Sequence, residues 1–110
     1  MFKIVENPEF THTVAIHVPV DGGHTRETME VRFRALATSR TVELLAADTA
    51  QAEVEFLNEA VVSVTDLVDG EGNTVPWNAG LRDRVFDLPY VRSALLRAYG
   101  AAMAKARAGN

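Results

Sequence analysis

Apolar and polar positions alternate over residues 12–20. Val14, Ile16, Val18 and Val20 fall on one side, and Thr13, Ala15 and His17 on the other. This two-residue period is that of a half-buried strand. Residues 27–35 repeat it, with Met29, Val31, Phe33 and Ala35 opposed to Glu30, Arg32 and Arg34. Between the two runs lies Asp21-Gly22-Gly23-His24, and a Gly-Gly pair tolerates the positive φ angles of a tight hairpin turn. With Gly22 and Gly23 as the central turn residues, Ile16 faces Met29, Val14 faces Val31 and His12 faces Phe33. A slip by one residue would destroy the match of faces, whereas a longer loop of the same parity would preserve it. Pro19 is expected to end the pairing early.

The pattern then changes to a helical one over residues 39–60. Asp48 followed by Gln51 resembles a capping box and predicts a helix start, or a restart after a break. Ala50, Val54, Leu57 and Val61 recur at helical spacing, Phe56 widens the stripe, and Glu53, Glu55 and Glu59 make the outer surface acidic. Val61-Val62-Ser63-Val64-Thr65 is rich in β-branched residues and predicts a third strand. It runs into the turn signal Asp69-Gly70-Glu71-Gly72-Asn73. Thr74-Val75-Pro76-Trp77 reads as a short return strand, confined to an edge by Pro76. Asn78 can cap a helix whose Leu81, Val85 and Leu88 share a face. A last helix begins at Asp87 or Leu88, with Pro89 in its first turn. Val91, Leu95, Ala98, Ala102 and Ala106 form its stripe, Leu96, Tyr99 and Met103 widen it, and Gly109 marks its stop. The expected fold class is α+β: an antiparallel β-hairpin plus a third strand packed with three to four α-helices, including a C-terminal helix, in one domain over residues 1–110.

Composition supports this and removes several function classes. A chain of 110 residues with 47% apolar types can build one core without metal or disulfide staples. The absence of cysteine excludes a disulfide scaffold, thiol catalysis and a Cys-ligated zinc site, and suits a reducing compartment. No apolar run approaches the ~20 residues of a membrane span. Met1-Phe2-Lys3-Ile4-Val5-Glu6 lacks the features of a signal peptide, so a soluble, unexported protein is expected. Charge is uneven. Residues 1–87 carry seven bases against fifteen acids, giving −8, while residues 88–110 carry Arg92, Arg97, Lys105 and Arg107 and no acid, giving +4. The acidic body argues against nucleic-acid binding. Helix macrodipoles favour cations near C-termini, which accounts for the basic end; an acidic partner would also suit it.

No constellation for catalysis or metal binding emerges. His12 and His17 differ by an odd number within one strand and project to opposite faces, and His24 lies in the turn. The segment from Asp69 has the acidic spacing of a calcium loop, but Thr74 stands where the glycine is due and Gly80 where the glutamate is due. Asp83 and Asp87 share a helix face, yet Arg82 and Arg84 flank Asp83 and make it a solvated charged surface. Trp77 is expected to anchor the core. Neither a nucleophile elbow nor a phosphate loop is present. The expectation is a non-enzyme with no cofactor and no metal.

Four segments, in order, resemble the tail assembly chaperones of long-tailed bacteriophages and prophages. The opening Met1-Phe2-Lys3-Ile4-Val5-Glu6-Asn7-Pro8-Glu9-Phe10-Thr11 is similar to the family's approach to its first strand. Val31-Arg32-Phe33-Arg34-Ala35-Leu36 resembles the second strand. Phe56-Leu57-Asn58-Glu59-Ala60-Val61-Val62, with Asp69-Gly70-Glu71-Gly72-Asn73 and Val75-Pro76-Trp77, resembles the central helix, strand and turn. Leu88-Pro89-Tyr90-Val91-Arg92, Leu95-Leu96-Arg97-Ala98-Tyr99 and Ala106-Arg107-Ala108-Gly109-Asn110 resemble the closing helix and its basic tail. Family sequences often carry a Trp in the strand before the acidic turn, whereas Trp77 follows it here.

The resemblance implies a chaperone that coats the tape measure protein, keeps its helices soluble and helps recruit tail tube protein. It implies action in the bacterial host cytoplasm, absence from the mature virion and no catalytic residues. The last helix offers a physical means: Leu95, Leu96, Tyr99 and Met103 form a broad apolar surface, with Arg92 and Arg97 as a basic rim, able to meet a partner helix. The alternative is a small virion structural protein, a tail completion or connector component, that oligomerises through the hairpin edge or the terminal helix.

Overall fold

Two twelve-residue strands, β1 (Glu9–Val20) and β2 (Gly23–Arg34), form the antiparallel hairpin. The computed structural model describes residues 1–107, with side-chain surroundings through residue 104. The hairpin register differs by two residues from the expected one. Asp21 and Gly22 make the turn, Val20 pairs with Gly23, Val14 with Met29 and His12 with Val31, so Ile16 faces Glu27. Gly22 takes the left-handed φ of +78°, which leaves Gly23 to begin the strand. Parity is kept, so Val14, Ile16, Met29, Val31 and Phe33 still point into the core. The shift also sets Phe10 opposite Phe33, with ring centroids 5.6 Å apart. Pairing does not stop at Pro19, which lies opposite His24. The sheet order is β1-β2-β3, with β3 spanning Val61–Thr65, and an edge strand such as β1 tolerates proline.

Two helices, α1 (Thr38–Leu44) and α2 (Ala50–Ala60), fill the region expected to be helical. The cap of α2 is Thr49, whose hydroxyl accepts from the Ala52 N–H at 3.1 Å; Asp48 is exposed and does not cap. The buried face is correspondingly Ala52, Phe56, Leu57 and Ala60, while Val54 is half-buried and Ala50 exposed. Strand β3 (Val61–Thr65) follows α2 with no intervening residue, and the Val61 N–H closes on the Leu57 carbonyl. Arg32 pairs with Ser63 but Phe33 with Val61, so the ladder is irregular at Val62. This bulge lets Val61 and Val64, an odd number apart, both enter the core.

After β3, Asp66 adopts a left-handed φ of +63° and the chain leaves the sheet. The expected return strand reduces to an isolated bridge between Val68 and Thr74, plus a bond from the Val75 N–H to the Leu67 carbonyl. Pro76 has no N–H with which to extend the pairing. Asn78 caps α3 (Ala79–Phe86) through the Leu81 N–H at 2.9 Å, as its position suggested. The Leu88 carbonyl accepts from the Val91 and Arg92 N–H groups at the start of α4 (Pro89–Arg107). The side chain of Ala106 and the stop at Gly109 lie outside the described residues. The described architecture is thus α+β, a three-stranded antiparallel sheet with four helices.

Helices α2 and α4 pack on one face of the sheet. The core includes Val14, Met29, Val31 and Phe33 from the hairpin, Phe56 and Leu57 from α2, Val64 from β3, Phe86 from α3, and Leu95 and Tyr99 from α4. The other face carries Thr11, Thr13, Glu30 and Arg32, where Arg32 meets Glu9 at 3.4 Å and Thr13 bonds to Glu30.

Two measurements test this packing. Leu57→Ala should destabilise the fold by about 2–5 kcal/mol in urea unfolding, because a fully buried side chain is replaced by a cavity. Thr49→Ala should cost about 1 kcal/mol, whereas Asp48→Ala should change stability by less than about 0.5 kcal/mol.

Candidate partner-binding surface

A mostly apolar groove of about 850 Å³ lies between α1 and the middle of α4, with Thr38, Thr41 and Thr49 also in its lining. Leu36, Val42 and Leu45 form one wall, and Leu96, Met103 and Gly100 the other. The buried rings of Phe56 and Tyr99 lie beneath. Val42 is 64% exposed and Leu45 37% exposed. The charged residues of the lining are Asp48 and Glu53, and no base lines it among the described residues.

Tyr99 fixes the groove's floor. Its hydroxyl accepts from the Leu36 N–H at 3.0 Å, tying the segment after β2 to α4. Its ring stands edge-on to Phe56 at 5.1 Å and to Phe33 at 5.9 Å. The opposite wall is held by ions. Arg40 of α1 pairs with both Glu43 and Glu59, so α1 is clipped to α2. Arg34 adds a bond to the Glu59 carbonyl at 3.1 Å, satisfying an acceptor left free at the end of α2. The Arg40 hydrogen bond holds the Glu59 carboxyl below its ordinary pKa, against a smaller opposing effect of desolvation.

The six residues expected to meet a partner separate into different roles. Leu95 is fully buried in the core and is not a contact surface, and Tyr99 is buried and lines the groove. Both fall on the side of α4 that turns to the sheet, which the width of the apolar stripe concealed. Leu96 and Met103 are half-buried and line the groove. Arg92 is an internal tie rather than a rim cation. Its guanidinium donates to the Phe86 carbonyl at 2.9 Å and pairs with Glu53 at 3.3 Å, and its side chain is only 13% exposed. Arg97 is exposed and donates to the Ser93 hydroxyl at 3.1 Å. Sequence reasoning missed the α1 wall. Its signal was Val42 and Leu45, three apart in the part of the helical region 39–60 that precedes the helix start or restart expected at Asp48.

The remaining sequence candidates lie elsewhere in the fold. His12, His17 and His24 are all exposed, with His12 edge-on to Phe10 at 5.3 Å. Among the described residues, no three His, Asp or Glu side chains converge as a metal site. The Asp69 carboxylate is used within its own turn: Oδ1 accepts from the Glu71 and Asn73 N–H groups, each at 2.9 Å. These bonds, Asn73's first, lower its pKa. Gly72 completes the turn at φ +86°. Arg82 pairs with Asp83 at 3.2 Å on the surface. Trp77 is half-buried against the core, 5.9 Å from the ring of Phe86. Leu81, Val85 and Leu88 line a second, smaller groove of about 490 Å³, whereas Phe86 is the residue α3 commits to the core.

No protein-family model, curated protein or solved structure matches the chain. Among the described residues, no helix is long and apolar enough to cross a membrane.

The lowered carboxylates give a pH dependence. Asp69 and Glu59 bind protons more weakly folded than unfolded, so their stabilisation is present above the ordinary carboxylate range and is lost as pH falls through their lowered values. Urea unfolding at successively lower pH should show stability declining through that range. Asp69→Asn should make that decline shallower.

Proposed function

We propose that the chain is a phage tail assembly chaperone that binds the tape measure protein, keeps it soluble and helps recruit tail tube protein. The observation that carries the reading is the open apolar groove between α1 and α4, whose walls present Val42, Leu45, Leu96 and Met103 toward solvent. An amphipathic helix laid into such a groove would bury its apolar face while its polar face stays wet. That is the requirement for holding a long helical client in solution before assembly. The ordered resemblance of four segments to the tail assembly chaperones supports the same reading, and it sets the action in the bacterial host cytoplasm.

Among the described residues no strand pairs with the outer edge of β1, which supports a second reading, a virion structural component that adds a strand or a copy along that edge. Mass spectrometry of purified particles separates the two: a chaperone is absent from mature virions, and a structural component is present.

Co-expression is the direct test. The tape measure protein encoded beside this chain should move from the insoluble to the soluble fraction when the chain is present. The Val42→Glu, Leu45→Glu double variant should lose most of that effect while keeping the parent circular dichroism. Equal insolubility of the large protein with and without the chain would sink the chaperone reading.

A further inference from the structure

We infer that the free chain self-associates by seating the N-terminal arm, Met1–Val5, of one copy in the α1–α4 groove of a second. The arm and the groove are complementary in chemistry. Phe2 is 88% exposed and Ile4 83% exposed, and Met1 and Val5 are exposed beside them, so the arm is an apolar segment without cover. Its charged side chain is Lys3. The groove is apolar with the acids Asp48 and Glu53 in its lining and no base among the described residues. Glu53 is already paired with Arg92, whereas Asp48 has no ion pair among the described residues and can receive Lys3.

The root of the arm is anchored and its reach is limited. The Ala35 N–H donates to the Pro8 carbonyl at 2.9 Å, fixing the arm's base next to the segment that carries Leu36 into the groove wall. Asn7 sits at the root of the arm with a left-handed φ of +50°, and the residues before it are exposed. Seven residues reach at most about 25 Å when extended. Two copies placed groove to groove can therefore exchange arms reciprocally, giving a closed two-fold dimer in which each arm and each groove is filled. The inference does not depend on the identity of any client. A client helix that uses the same walls would have to displace the arm.

Sedimentation equilibrium with complementary variants tests this. The parent chain should dimerise reversibly at micromolar concentrations. An arm variant, Phe2→Asp with Ile4→Asp, and a groove variant, Val42→Glu with Leu45→Glu, alter residues outside the core and should keep the parent circular dichroism. Each alone should dimerise at least tenfold more weakly than the parent. An equimolar mixture should recover association as a one-to-one heterodimer, because one intact arm meets one intact groove. A parent chain that stays monomeric overturns the inference. So does an arm variant that dimerises like the parent, or a mixture no more associated than its components.

Discussion

Phe33 is fully buried on the middle strand of the sheet, between an aromatic ring of β1 and one of α4. Phe10 stacks beside it from β1, and Tyr99 meets it edge-on from α4. Tyr99 in turn stands against Phe56 of α2. One contiguous aromatic cluster thus joins the sheet to both helices that cover it, with the geometries that ring quadrupoles favour. The Tyr99 hydroxyl adds a directional element that burial alone lacks, by accepting the Leu36 N–H just after β2 leaves the sheet. The backbone turn that leads into α1, and hence the position of the groove's outer wall, depends on that cluster being in place.

Around it, arginines act as ties between elements. Arg40 clips α1 to α2, and Arg92 joins α4 to the end of α3 and to α2. Exposed ion pairs contribute little to stability one by one. The effect of Arg40 is positional: α1 is a seven-residue helix with no buried residue, so few apolar contacts hold it. Arg92 differs, since its guanidinium is mostly withdrawn from water and satisfies a backbone carbonyl that would otherwise lack a partner.

Strand periodicity made much of the fold legible. The alternation over residues 12–20 and 27–35 identified both hairpin strands and the inward face, because that face depends only on parity. The register itself did not follow, since Gly22-Gly23 offers two adjacent residues able to take positive φ and only the three-dimensional turn selects Gly22. The restart of the helix near residue 49 was visible, but Thr49 and Asp48 are both good caps, and the burial of Ala52 and Phe56 decides between them. On α4 the stripe spans so many positions that a sheet-facing residue such as Leu95 and a groove-facing one such as Leu96 cannot be told apart by spacing. The Arg92 tie needed the position of Glu53, distant in sequence. The α1 wall was illegible for the same reason: its apolar residues matter only because α4 runs opposite them.

The junction of α2 with β3 has a consequence for how this chain can vary in length. Helix passes to strand between Ala60 and Val61 without a spacer, and the Val61 N–H still belongs to the helix. An extra residue there would rotate the helix by about 100° relative to the strand, because an α-helix has 3.6 residues per turn. Phe56 and Val61 could then no longer both point inward. Indels and fused tags therefore belong at the Asp21-Gly22 tip or the Asp69–Asn73 loop, where exposed turns can absorb them, and the seam between Leu57 and Val61 behaves as a ruler of fixed length.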